Sequence, residues 1–232
     1  MLYIKKMSDQ IHIIIVGGGS NIARNVFIKK KDYEINAFSK FSDLKSIKEY
    51  KTHRYTKTET ITKFISKIKS KKIVLLFMES LSISNLIINK TDKELLKEVD
   101  TNLINPHKII KKVLPIMIKN NWGRIIFSGS SRALKGDAGI SGYSISKYAL
   151  VGYSKVLSKE YARFGITTNY LSLGIFESKL SNSLKKSTKK KLIKNTDTGS
   201  IGDFQSVYNA INFIIKSQYV SGAIIPVNGG FS

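Results

Sequence analysis

The chain has 232 residues, 42% of them hydrophobic, enough for one large buried core and suited to a single α/β domain spanning residues 1–232. It has no cysteine, which excludes a disulfide framework, a thiolate nucleophile and a cysteine metal site, and the three histidines His12, His53 and His107 are scattered, so no metal centre is expected. The formal charge of +23 is a lysine excess spread along the chain with only five arginines, a composition that argues against dedicated nucleic-acid recognition and leaves an acidic macromolecular partner open.

The first ten residues, MLYIKKMSDQ, lack the apolar run of a signal peptide, and no stretch reaches the roughly 18 to 20 apolar residues of a membrane span. A cytoplasmic protein without membrane association is expected. IHIIIV (11 to 16) reads as the first strand, Ser20 to Lys30 as the helix after it, and YEINAF (33 to 38) as the second strand. A third strand is placed near 53 to 57. IVLLFM (73 to 78) and RIIFSG (124 to 129) are continuous apolar runs of buried-strand type. Between them a helical region runs from Thr91 to Lys119, with bends expected near Pro106 and Pro115. A further helix spans about Gly142 to Phe164, then come strands at 167 to 173 and 222 to 227, with a solvated lysine-rich helix over 181 to 194. Strands alternating with helices give a Rossmann-type, doubly wound, mostly parallel seven-stranded sheet with helices on both faces. Nothing marks a domain boundary.

Directly after the first strand stands Gly17-Gly18-Gly19-Ser20-Asn21-Ile22-Ala23, opening a helix. A dinucleotide pyrophosphate needs close backbone approach at such a turn, which glycine permits, and a small residue where helix meets strand. Gly17, Asn21 and Ala23 suit these needs, asparagine being tolerant of left-handed geometry. The end of the second strand carries Ser39 and Lys40 and no acid, which favours NADP(H) over NAD(H), since a basic residue there accepts a 2′-phosphate.

Tyr143 and Lys147 form a Y-x-x-x-K pair, one helical turn apart on one face. Chance alone supplies about one or two such pairs in a chain this rich in tyrosine and lysine, so the context decides. Ser130 lies thirteen residues before Tyr143 at the end of a buried strand, and Asn102 lies within TNL (101 to 103). In these residues, in the glycine turn, in YSISKYALVGYSKVLSKEYARFGITTNYLSLGIFES (143 to 178) and in YVSGAIIPVNGGFS (219 to 232), the chain resembles the short-chain dehydrogenase/reductase family over nearly its whole length. Among its members the 3-oxoacyl-[acyl-carrier-protein] reductases are most similar in spacing.

The resemblance implies a tetrad of Asn102, Ser130, Tyr143 and Lys147, with cofactor contacts at Gly17, Gly19, Ser20, Asn21, Ile22, Ser39, Lys40 and Met78. Tyr143 and Lys147 would also touch the cofactor, and Phe176 and Ser178 occupy positions that contact the nicotinamide carboxamide in relatives. Tyr143 would exchange a proton with the substrate oxygen, its phenol acidified by the Lys147 ammonium. Ser130 would donate to the developing alkoxide, and Asn102 would hold a water leading to Lys147. Relatives are commonly tetramers, so a homotetramer or dimer is expected.

The chain departs from the family at Phe77-Met78-Glu79-Ser80, where relatives carry Asn-Asn-Ala-Gly, and at Leu173-Gly174, where they carry Pro-Gly. The acid that relatives often place after the third strand is missing around Thr56 to Thr58. Three functions follow as alternatives: a ketoreductase acting on an acyl thioester held by an acyl carrier protein, an oxidoreductase of a sugar or other small hydroxylated metabolite, and a cofactor-binding scaffold with little turnover. The substrate loop is placed at about 177 to 197.

Overall fold

A computed structural model describes residues 10–27, 32–40, 50–68 and 70–231, the side chains of residues 179 and 180 excepted. The leader reading of residues 1 to 9 and the expected extension of the first helix to residue 30 lie outside the described residues. Seven strands form one parallel sheet in the order β3-β2-β1-β4-β5-β6-β7. They are β1 (Ile11–Val16), β2 (Glu34–Ser39), β3 (Lys51–Arg54), β4 (Lys72–Phe77), β5 (Gly123–Ser128), β6 (Ile166–Leu173) and β7 (Ile224–Val227). The chain moves outward from β1 to β3, then crosses back to β4, so the winding reverses between β1 and β4. Such a reversal leaves a crevice at the carboxyl ends of the two strands.

The central strands are apolar on both faces because both faces are covered. Ile13 and Ile15 of β1 point into a core shared with α1 (Asn21–Val26) and α9 (Phe204–Lys216). Ile14 and Val16 point the other way, into a core built with α2 (Thr58–Ile65), α4 (Asn105–Lys119) and α6 (Ser141–Tyr161). The helices α2 and α9 add to the elements expected from the sequence. Their apolar residues fall at helical spacing, Ile61, Phe64 and Ile65 in one and Val207, Tyr208, Ile211, Ile214 and Ile215 in the other. The remaining helices are α3 (Asp92–Val99), α5 (Ser131–Lys135), α7 (Lys179–Asn182) and α8 (Lys186–Lys194).

Two expectations change in detail. The third strand runs from Lys51 to Arg54, earlier than placed, and Tyr55 leaves it while its amide still donates to the Ser39 carbonyl at 3.2 Å. The long helical region is interrupted by a wide π-helical turn at Asp100–Ile104. Pro106 lies in the first turn of α4, where no intrahelical donor is required, and Pro115 lies inside α4. A capping box, with Thr91 accepting from the Glu94 amide at 3.2 Å and Glu94 from the Thr91 amide at 2.9 Å, fixes the start of α3.

A polar chain crosses β1, β2 and β3 on one side of the sheet. The Asn36 side chain lies 2.7 Å from His12 Nε2 on one side and 2.7 Å from His53 Nε2 on the other. His53 also stacks on Phe38, with ring centroids 4.8 Å apart. Burial lowers both imidazoles from the ordinary 6.5, with Lys51 adding to the shift and Glu34 opposing it at His12. Both histidines are therefore held neutral, and the unfolded chain binds more protons than the folded one as the pH drops. The stability this neutrality provides is complete above pH 6.5 and declines as the pH falls below it. Melting temperatures measured from pH 8 to 5 should fall, and His53→Phe, which keeps an aromatic ring against Phe38, should flatten part of that slope.

Candidate functional site

The glycine turn is shaped by the strands beneath it. The amides of Gly17 and Gly18 both donate to the Phe38 carbonyl, at 2.7 and 3.1 Å, and Ser20 closes the turn onto the Gly17 carbonyl at 3.0 Å. Gly17 has φ +92, and a Cβ there would lie 2.2 Å from the Glu79 nitrogen. At Gly18 a Cβ would lie 2.3 Å from that of Ala37. Both glycines are thus required by protein packing around the turn. Ser20 caps α1 by accepting from the Ala23 amide at 3.1 Å, and Ala23 is fully buried where helix meets sheet. Asn21 is the first residue of α1 and has ordinary helical geometry, so its tolerance of left-handed backbone, on which the sequence argument drew, is not used.

The end of β4 locks against β1 in the same place. The amides of Met78 and Glu79 share the Val16 carbonyl, at 2.7 and 2.9 Å. Phe77 stacks on Phe127 at 5.5 Å, so its bulk goes into the core below the sheet end. The Glu79 carboxylate accepts from the hydroxyl of buried Tyr55 at 2.8 Å. Burial raises this carboxyl, partly offset by Tyr55, Lys40 and Lys147.

On the other side of the crevice, β5 ends in Ser128, followed by Gly129 and Ser130. Ser130 caps α5, its hydroxyl accepting from the Ala133 amide at 3.2 Å, while its own amide donates to the Tyr170 hydroxyl at 3.0 Å. The Tyr170 ring fills the space over Gly129, where a Cβ would come within 2.0 Å of it. Tyr143 and Lys147 project from the first turns of α6, and both are buried. The side chains of Ser130 and Ser80 line the same cleft as the Tyr143 hydroxyl and favour its ionised form.

Lys147 donates through Nζ to the Ser128 carbonyl at 2.8 Å and lies 5.9 Å from the centre of the Tyr143 ring. Burial pushes the phenol up, and Ser130, Ser80 and the Arg132 cation only partly offset it. Burial also lowers the Lys147 ammonium to about 8, against the opposing pull of Glu79.

Asn102 lies in the π-helical turn, buried, with its side chain committed. It donates to the Leu81 carbonyl and accepts from the Leu81 amide, both at 2.8 Å, and donates to Ser146 at 2.9 Å. Asn102 thereby joins the segment after β4 to α6. A second clamp stands nearby: the Glu98 carboxylate lies 2.7 Å from Lys90 Nζ and accepts from the Ile83 amide at 2.9 Å, and Lys90 donates to the Ile83 carbonyl at 2.6 Å. These clamps fix residues 80 to 90 beside Tyr143. Neither Glu98 nor Lys90 stood out in the sequence, because pairs eight residues apart across a loop leave no pattern.

One cleft of about 330 Å³ runs along this crevice. Of the expected site residues it is lined by Gly17, Gly19, Ser20, Asn21, Ile22, Ser39, Met78, Ser130, Tyr143, Lys147, Phe176 and Ser178. Asn102 and Lys40 are not among its lining residues. Glu79, Ser80, Arg132, Leu184, Leu192 and Phe231 line it without having been anticipated as contacts. Of these, Leu184 and Leu192 belong to the expected substrate loop and, with Phe231, give the cleft apolar surface. Phe176 is held there by Gly202, whose amide donates to the Ile175 carbonyl at 2.9 Å.

Comparison with known proteins agrees with this geometry. A family model described as enoyl-(acyl carrier protein) reductase matches residues 56–232. The 3-oxoacyl-[acyl-carrier-protein] reductase FabG of Escherichia coli (strain K12) is 32% identical over 148 residues, which are 63% of this chain and 61% of the relative. The match therefore spans less than two thirds of that relative's length. FabG of Buchnera aphidicola is 33% identical over 177 residues, covering 74% of this chain and 72% of the relative, and the Bos taurus reductase is 35% identical over 146 residues, covering 63% and 60%. A solved structure described as ElxO with NADP bound superposes with a TM-score of 0.82 at 22% identity, covering 96% of this chain and 98% of the other. By its matched family model, its relatives and its seven-stranded parallel sheet, the chain belongs to the short-chain dehydrogenase/reductase family.

Proposed function

We propose that the chain is an NAD(P)H-dependent oxidoreductase that interconverts a ketone and a secondary alcohol, with NADP(H) as the preferred cofactor and a 3-oxoacyl thioester as the substrate class. One observation carries the reading: Tyr143, Ser130 and Lys147 converge on the same cleft as the glycine turn. A cleft lined by both that turn and a phenol suits a dinucleotide lying across the strand ends, with its nicotinamide toward Tyr143. Gly17, Gly19 and Ser20 would hold the phosphates, and Phe176 and Ser178 the nicotinamide end. When bound, the cofactor supplies the hydride.

The chain's own residues handle the proton and the developing charge. Tyr143 gives its hydroxyl proton to the substrate oxygen, and Ser130, which lines the cleft with it, donates to the same oxygen as negative charge grows there. Lys147, held by the Ser128 carbonyl, supplies positive charge behind the phenol. Asn102 acts as a positioning residue, tying Leu81 and Ser146 so that Ser80 and Tyr143 keep their places. Leu184, Leu192 and Phe231 provide an apolar wall suited to an acyl chain. The charge of +23 suits the acidic surface of an acyl carrier protein, and the relatives' names point to such a partner. A cytoplasmic setting accords with this substrate, and no helix of the described residues is long and apolar enough to cross a membrane.

We also assign a second copy of the chain to the outer face of α6. Ile145, Tyr148 and Val156 are exposed there, 54%, 59% and 52%, and a Cβ added at Gly152 would meet nothing within 4 Å. Leu96 on neighbouring α3 extends the patch, at 65% exposed. Apolar surface of this kind is covered in a closed homo-oligomer, a dimer or tetramer.

Three outcomes are expected. Tyr143→Phe should lower turnover of a 3-oxoacyl thioester by on the order of 10² or more while NADPH binding, followed by fluorescence, is retained. Reduction rates should fall as the pH rises through about 8, where Lys147 loses its proton, and Lys147→Arg should remove that limb from the pH profile. Light scattering should give a dimer or tetramer mass for the native chain and a smaller species for Tyr148→Glu combined with Ile145→Lys.

A further inference from the structure

The carboxylate of Glu79 stands where the proposed cofactor cleft has no evident use for negative charge. Its backbone lies against Gly17, with its amide on the Val16 carbonyl at 2.9 Å, so the residue is fixed beside the glycine turn. Its side chain lines the cleft and is anchored through Oε2 by the Tyr55 hydroxyl at 2.8 Å. Tyr55 is 1% exposed and is itself tied to the end of β2, its amide donating to the Ser39 carbonyl at 3.2 Å. Ser39 lines the same cleft. The Glu79 carboxylate is therefore held, by a rigid donor, at the end of the cleft formed by the β1, β2 and β4 termini.

Lys40, the residue after Ser39, belongs to the same cluster. Its ammonium lies 5.3 Å from the centre of the Tyr55 ring and interacts electrostatically with Glu79. The β2 end thus offers a cation with an acid close by, brought in from β4 instead of from β2.

We infer that Glu79 is a specificity-determining residue for the cofactor, setting the balance between a ribose 2′-hydroxyl and a 2′-phosphate by opposing the charge of Lys40. This rests on the reading of the cleft as a dinucleotide site. A carboxylate accepts a hydrogen bond from a hydroxyl but repels a phosphate, and the repulsion acts over several ångströms in a partly buried site. Lys40 attracts the phosphate and Glu79 offsets that attraction. The chain consequently discriminates between the two nucleotides less than a cleft with the lysine alone.

NADPH and NADH differ only at the 2′ position, so the ratio of their dissociation constants cancels every effect shared by the two, including a general loosening of the site. Binding of each nucleotide is measured by calorimetry on the native chain, Glu79→Gln and Lys40→Met. Glutamine keeps an acceptor for Tyr55 and removes only the charge, and circular dichroism checks that each variant is folded. Glu79→Gln is expected to shift the ratio toward NADPH by on the order of tenfold, and Lys40→Met to shift it the opposite way. An unchanged ratio in Glu79→Gln, or one shifted toward NADH, overturns the assignment while leaving the dinucleotide reading intact. If the native chain binds neither nucleotide, the dinucleotide reading fails and takes the inference with it.

Discussion

The site depends on how the carboxyl ends of β1 and β4 meet. The Val16 carbonyl accepts the amides of both Met78 and Glu79, and Gly17 leaves no room for a Cβ against the Glu79 backbone. This contact sets the edge at which the sheet reverses its winding, and the crevice beyond it is where two diverging strands leave space that side chains do not fill. Everything else in the site is placed relative to that edge. On one side the glycine turn folds onto the Phe38 carbonyl, and on the other Ser128 and Ser130 continue from β5.

A second constraint holds the far wall. The segment after β4 would be an open loop if its backbone groups had no partners, and buried polar groups must find them. Asn102 satisfies both backbone groups of Leu81, and the Glu98 and Lys90 pair does the same for Ile83. The π-helical turn at Asp100–Ile104 sets Asn102 between Leu81 and Ser146. Breaking a buried ion pair of this kind by removing one partner costs about 3 to 5 kcal/mol, so the clamp is an expensive part of the structure to disturb. Its effect is to hold the segment after β4 along the cleft that Ser80 and Tyr143 both line.

The altered strand end at Phe77-Met78-Glu79-Ser80 shows how a changed motif is absorbed. Phe77 enters the core and stacks on Phe127, Met78 is buried, and Ser80 lines the cleft with Tyr143. Only Glu79 introduces a new chemical group into the cleft, and it brings Tyr55 with it as a donor. Three of the four substitutions therefore leave the charge of the site unchanged, and one alters it.

The sequence by itself determined the parallel sheet, because strand-length apolar runs alternating with helical periods permit few other arrangements, and it determined the glycine turn and the Tyr143 and Lys147 spacing, because both are local. It passed over α2 and α9, whose helical spacing was present but weighed less than the strands around them. Tertiary structure alone decided that Lys147 bonds the Ser128 carbonyl, that Asn102 turns its side chain to Leu81, and that Glu79 meets Tyr55. Those outcomes depend on burial and on partners 19 to 24 residues away, and no local pattern records where such a distant partner will stand.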